Sequence, residues 1–164
     1  MRLKVLGLVA AVALLAACET APTETGTVQP TGGASTAQGA VNAGPTPGSQ
    51  EDLVVNVGDR VFFGFDQFDL SPEARATLDR QAGWLNQYRG VTVTVEGHAD
   101  ERGTREYNLA LGERRANAVK NYLVARGVDA NRVSTVSYGK ERPAVLGSSE
   151  AAWAQNRRGV TAVN

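Results

Sequence analysis

Cysteine, histidine and methionine each occur only once among the 164 residues. A single cysteine allows no intrachain disulfide, so whatever folds here must rest on its core. Charge of neither sign prevails, with 17 basic and 17 acidic residues. The basic residues gather into no stripe or run, which speaks against a nucleic-acid partner. No segment reaches the roughly 20 consecutive apolar residues that a spanning helix needs. Membrane attachment must therefore come from something other than a spanning helix. The length fits one folded domain.

The one long apolar run is at the start. Arg2 and Lys4 precede Val5 to Ala17, a stretch made only of Val, Leu, Gly and Ala. A basic start, a short apolar run and small residues at its end mark a secretory signal peptide, here residues 1–17. The run closes Leu15-Ala16-Ala17-Cys18, and the chain's only cysteine sits at that junction. This resembles the lipobox of bacterial lipoproteins. The resemblance implies lipidation of the Cys18 thiol, cleavage before it and acylation of the new amino group. One acyl chain binds a membrane marginally, whereas two or more hold firmly, at about 0.8 kcal/mol per buried CH₂. Glu19 stands where an aspartate would, by the same resemblance, retain the protein in the inner membrane, so the expected location is the outer membrane.

Composition then changes. Thr, Gly, Pro, Ala and Ser supply 24 of the 32 positions from 19 to 50, and Val28 and Val41 are the only large aliphatic residues there. Such a segment buries too little surface to offset chain entropy. Residues 18–50 are thus expected to be the lipidated cysteine and a disordered tether, with a typical span of roughly 30 Å for a Gly-rich coil.

From residue 51 to 164 the pattern is that of a folded domain. Val61 to Phe65 reads as a strand rich in aromatic and β-branched residues. Ser71-Pro72-Glu73 starts a helix, with serine as cap, proline in the first turn and an acid behind it. Val91, Val93 and Val95 alternate with Thr92, Thr94 and Glu96, a strand with one buried face. In a second helix over 105–126, Leu109, Gly112, Ala116, Val119 and Leu123 form one apolar stripe, closed by Gly127. Residues 132–138 form a third strand, 150–156 a third helix, and 160–163 a strand that closes the sheet. The class is α+β, a βαβαβ-type mixed sheet covered by helices.

The densest polar stretch, Gly97 to Asn108, lies between a strand and a helix, where such folds place binding groups. At about 100° per residue, Asn108 and Arg115 fall on one line beside the apolar stripe, and Arg114 points roughly 170° away from it. Arg115 is therefore the arginine placed to serve the loop near Asp100. His98 and Asp100 are too few for a metal site, and a packed or hydrogen-bonded histidine is the better reading. Trp84 and Trp153 read as core or edge packing rather than a sugar platform.

Gly97-His98-Ala99-Asp100-Glu101-Arg102-Gly103-Thr104, Tyr107-Asn108 and Gly112-Glu113-Arg114-Arg115-Ala116-Asn117-Ala118-Val119 together resemble the OmpA-like domain, in the form carried by peptidoglycan-associated lipoproteins. Phe65-Asp66 with Leu70 and Pro72, Ser137 to Pro143, and Asn156-Arg157-Arg158 extend the resemblance over residues 55–164. It implies a domain that binds the peptide stem of peptidoglycan without chemistry. The ligand would be diaminopimelate, whose side-chain end carries an ammonium and a carboxylate. Asp100 would pair with the ammonium and Arg115 with the carboxylate, with Asn108, Asp66 and the backbone around Phe65 completing the pocket. The resemblance further implies TolB and TolA type proteins as partners, a role in the Tol-Pal system and in cell division, and a domain facing the periplasm.

The rival reading is an envelope hydrolase using Asp100, Glu101 and Glu96 as paired carboxylates. Nothing resembles a nucleophile elbow, a zinc-binding set or a cysteine–histidine pair. The expectation is no enzyme, no cofactor and no metal. The lipobox gives a direct test. Cys18→Ser should leave an uncut, unlipidated precursor that does not reach the outer membrane. Cell fractionation and the mass of the mature chain check this, and an acylated mutant found in that membrane overturns the lipoprotein reading.

Overall fold

A computed structural model describes residues 44–164. The signal peptide, Cys18 and most of the expected tether lie outside the described residues. Hydrogen bonding begins slightly before residue 51. The Ser49 N–H donates to the Thr46 carbonyl at 3.1 Å, and the Gly48 N–H donates to Asp52 Oδ2 at 2.8 Å. Asp52 also accepts the buried Trp84 indole N–H at 2.9 Å, which fastens the domain's leading end to its core.

Local sequence sets the helices. A short helix α1, Gln50–Asp52, runs into one wide turn over Leu53–Val57. Helix α2, Pro72–Gln87, starts as expected: the Ser71 hydroxyl accepts the Ala74 N–H, and proline fills the first turn, where no N–H is needed. Thr104 caps α3, Arg105–Ala125, through the Tyr107 N–H. Ser149 caps α4, Glu150–Asn156, through the Ala152 N–H. Each hydroxyl satisfies one orphan donor, typically worth about 1 kcal/mol.

Four strands form one mixed sheet: β1 Arg60–Phe62, β2 Val93–His98, β3 Val133–Gly139 and β4 Arg158–Val163. Their order is β1-β4-β2-β3. The β2–β3 pair is parallel and both β4 pairings are antiparallel. The α+β expectation holds. The last strand joins the sheet as expected, and it lies between β1 and β2. Its buried residues suit that place. Gly159 leaves room for Val119, Phe63 and Val61, and the Thr161 hydroxyl donates to Gln81 Oε1 at 2.8 Å. The core gathers Val61 and Phe63, Leu78 and Leu85 of α2, Val93 and Val95, and Ala116, Val119 and Leu123 of α3. The expected stripe on α3 is thus the packed face, although Leu109 is only half-buried.

Two strand boundaries differ in a way that matters for the site. The first strand stops at Phe62, three residues early, because the chain from Phe63 onward leaves the sheet. The second begins at Val93 and continues through Gly97 to His98, so it runs into the polar stretch. Gly97 permits the close packing of α3 on β2. A methyl group there would fall inside the Gly112 carbonyl of α3, and one on Gly112 would meet the Ser137 hydroxyl. The backbone atoms cannot yield as a flexible side chain would. Gly97→Ala should therefore destabilise the domain by about 3 kcal/mol, the upper range for overpacking. Denaturant unfolding checks this; a loss below about 1 kcal/mol would show that α3 slides without penalty.

Candidate functional site

At the carboxyl end of β2 the chain turns through residues 99–104 into α3. Facing this turn is the segment after β1, Phe63 to Gln67. A cavity of about 170 Å³ lies between them. Phe65, Asp66 and Tyr107 line one part of it; Asp100, Arg102 and Asn108 line another. Four of the residues expected from sequence thus meet at one cavity: Phe65, Asp66, Asp100 and Asn108.

Asp100 is buried and heavily engaged. Its Oδ1 accepts the Arg102 backbone N–H at 3.1 Å and the Arg102 Nε–H at 3.2 Å. Its Oδ2 accepts Arg102 Nη2 at 2.6 Å and Arg157 Nη1 at 3.4 Å. Burial pushes the Asp100 carboxyl up, but the hydrogen bonds from Arg102 and its charge, with help from Arg157, outweigh burial and hold the pKa below the ordinary value. A carboxylate that stays ionised in a sheltered place is a site for a cation.

The Arg102 guanidinium lies between two aromatic faces, 4.1 Å from the Phe65 ring centroid and 4.0 Å from that of Trp153. The Trp153 indole in turn donates to Glu101 Oε1 at 2.9 Å. Trp153, expected from sequence only as core or edge packing, thus lies against the site through Arg102 and Glu101. Phe65 is 61% exposed, so its ring is available to a ligand. Asp66 has a positive φ of 57°, which aspartate tolerates better than most residues. Its carboxylate accepts the Tyr107 hydroxyl, and this bond raises the phenol's pKa. The Asn108 side chain is tied to the turn, donating to the Arg102 carbonyl at 2.8 Å.

Arg115 differs from the expected picture. The helix phase is as expected, with Arg115 buried and Arg114 exposed. Yet Arg115 neither lines the cavity nor pairs directly with Asp100. It is 0% exposed, and its guanidinium donates to three backbone carbonyls: Gln67 at 2.8 Å, His98 at 2.8 Å and Gly64 at 3.0 Å. The physical reason is that the chain leaving β1 turns two carbonyls toward Arg115, those of Gln67 and of Gly64, the latter also accepting the Gln67 N–H at 3.3 Å. Burial lowers the Arg115 pKa to about 10, with the nearby Asp100 charge opposing. It stays cationic at neutral pH.

Sequence reasoning passed over Arg102, Arg157 and Tyr107 as members of the site. A signal for Arg102 was present, since a cation two residues beyond a loop aspartate can turn back onto it. Arg157, nearly a hundred residues from Phe63 in the chain, reaches the site only because β4 is a central strand. His98 is packed rather than hydrogen-bonded: it is 1% exposed, and neither ring nitrogen has a partner of proper geometry. Glu96 Oε2 approaches Nε2 at 3.4 Å, and the ring rests against Tyr138. Burial, and then the Arg158 charge, pushes its pKa down to about 4. Among the described residues, no group of three or more His, Cys, Asp or Glu is arranged to hold a metal ion.

The OmpA family model matches residues 62–157, which include every residue of this cavity. A peptidoglycan-associated lipoprotein of Rhizobium meliloti is 60% identical over 116 residues, 71% of this chain and 66% of that protein. A peptidoglycan-associated lipoprotein of Brucella melitensis is 55% identical over 119 residues, 73% of this chain and 71% of that protein. Among solved structures, the peptidoglycan-associated lipoprotein from Burkholderia pseudomallei superposes with a TM-score of 0.63 at 42% identity, covering 65% of this chain and 90% of that one.

The His98 environment has a consequence that can be measured. Its folded pKa lies below the unfolded value near 6.5, so the unfolded chain binds the proton more readily. The resulting stability is complete above pH 6.5 and is lost as pH falls toward 4. A shift from 6.5 to about 4 corresponds to about 3 kcal/mol. Unfolding free energy measured between pH 7 and 4.5 should fall more steeply for the parent than for His98→Gln. Equal slopes would mean that the imidazole is not held neutral.

Proposed function

Since this chain belongs to the OmpA family, in its peptidoglycan-associated lipoprotein branch, we propose that it is an outer-membrane lipoprotein whose periplasmic domain binds, without chemistry, the diaminopimelate-bearing peptide of peptidoglycan. It thereby links the membrane, through lipid on Cys18, to the cell wall. The observation that carries this reading is the buried, ionised Asp100 at a cavity walled by Phe65 and Tyr107. The free end of a diaminopimelate side chain carries an ammonium that such a carboxylate takes up. Asp66 adds negative charge at the same rim. The ligand's carboxylate is assigned to the side of Asn108 and Arg115. Arg115 has two N–H groups beyond the three bound to carbonyls, and its charge lies behind that wall. It also holds the wall in place. TolB and TolA type proteins are proposed as partners of the same domain, within the Tol-Pal system and in cell division.

The test is sedimentation with purified sacculi, with released fragments assayed in the same tube. The parent should sediment with them and release nothing; soluble fragments would instead indicate a hydrolase. Losing one half of a desolvated charged contact costs about 2–5 kcal/mol of binding. Asp100→Asn should therefore weaken binding by at least about 30-fold while the domain stays folded. Arg114→Ala should bind like the parent, since this arginine is exposed and only rests near Phe68. Arg115→Ala should lose binding and stability together, because three carbonyls lose the guanidinium N–H that they accept. Parent-like binding by Asp100→Asn rules out this assignment of the ammonium.

A further inference from the structure

We infer that the Arg102 side chain is a built-in occupant of the Asp100 carboxylate, one that a ligand's ammonium must displace, and that it thereby sets the affinity of the site. This rests on the peptide-binding reading above. An ionised carboxylate offers about four acceptor sites. On Asp100 all four are taken: Oδ1 by the Arg102 backbone N–H and Nε–H, Oδ2 by Arg102 Nη2 and Arg157 Nη1. An incoming ammonium therefore finds no free site on either oxygen until a donor leaves.

The four donors are not equally free to go. The backbone N–H is fixed by the turn. The Arg157 side chain is 8% exposed and is also tied to the Phe63 carbonyl at 3.1 Å and to Glu150 at 2.7 Å. The Arg102 side chain is 31% exposed. It is the one that can swing out, and its departure vacates one site on each oxygen. The carboxylate itself would stay in place, still held by the backbone N–H and by Arg157. A destination exists as well. Glu150 Oε2 lies 3.9 Å from Arg102 Nη1, and its side chain is 65% exposed. The vacated slot has Phe65 on one side and Trp153 on the other, so it remains a place where a cation is held between aromatic faces. The ligand's ammonium and the protein's own guanidinium are thus competitors for one slot.

The experiment titrates the purified lipid-free chain with a diaminopimelate-containing tripeptide by calorimetry, for the parent, Arg102→Met and Asp100→Asn. Removing a competing state that holds about nine-tenths of the molecules strengthens apparent binding about tenfold. Arg102→Met should therefore bind about tenfold more tightly than the parent, and Asp100→Asn at least about 30-fold more weakly. Peptide should also change Trp153 emission in the parent, as the guanidinium leaves the ring, and change it less in Arg102→Met. Arg102→Gln repeats the comparison if the methionine variant melts well below the parent. If the parent binds and neither variant binds more tightly, the displacement idea is overturned and peptide recognition stands. If the parent does not bind but Arg102→Met does, the occupant is real and the parent's peptide binding is not. If none binds, both fall.

Discussion

One buried guanidinium holds the working end of this domain together. Arg115 comes from the middle of a helix, but its three bonds reach two carbonyls of the segment after β1 and one at the end of β2. Those two stretches are far apart in sequence and have no ladder between them at that point. Without the arginine, the Gln67 carbonyl would lose this donor and the Gly64 carbonyl would keep the Gln67 N–H at 3.3 Å, while the buried acceptor at His98 would lose a bond whose absence costs roughly 1–3 kcal/mol. The cation itself is costly to bury. It is offset by three oriented carbonyl dipoles and by the negative charge of Asp100 nearby. The arrangement is a fastening in which one planar group with a fixed fork defines the distance between two loops.

The site follows from that fastening. Once Phe63 to Gln67 is pinned, Phe65 is pushed outward with its ring exposed, and Asp66 adopts a left-handed backbone that turns its carboxylate toward Tyr107. On the other side, Gly97 lets α3 settle on β2, and the Thr104 cap fixes where the helix begins. Asp100 is then locked by the N–H of its own turn and by Arg157 from the end of α4. The charged residues that shape the cavity come from four separate parts of the chain. Only the apolar packing of α3 on β2 and β3 brings their elements to one end of the sheet.

That distinction explains what the sequence could reveal. The two long helices were legible because a serine cap, a proline in the first turn and an apolar stripe are local signals, whereas the short α1 and the turn after it carried none that was read. Asp100, Asn108, Asp66 and Phe65 were legible because they sit in stretches that resemble a known family. The helix phase separated Arg115 from Arg114 correctly. It could not show that Arg115 would be taken up by backbone carbonyls, because that depends on where a different segment leaves the sheet. The place of β4 was hidden for a similar reason. Residues 158–163 carry no long apolar run, and the room that Gly159 leaves and the bond from Thr161 gain meaning only once their partners on α3 and α2 are known.

The position of β4 shapes how the chain reaches this state. Among the described residues β1 has no neighbour but β4, and residues 60 and 160 are paired between them. No register between β1 and the other strands exists until residues 158–163 are available. Folding that depends on such remote pairing is slow compared with folding built from local contacts. Translation runs from the amino end, so β1 is made while its place in the sheet is still undefined, whereas β2 and β3 can already pair with each other. The first strand thus waits longest for its partner, and the sheet becomes complete only after the carboxyl-terminal segment arrives.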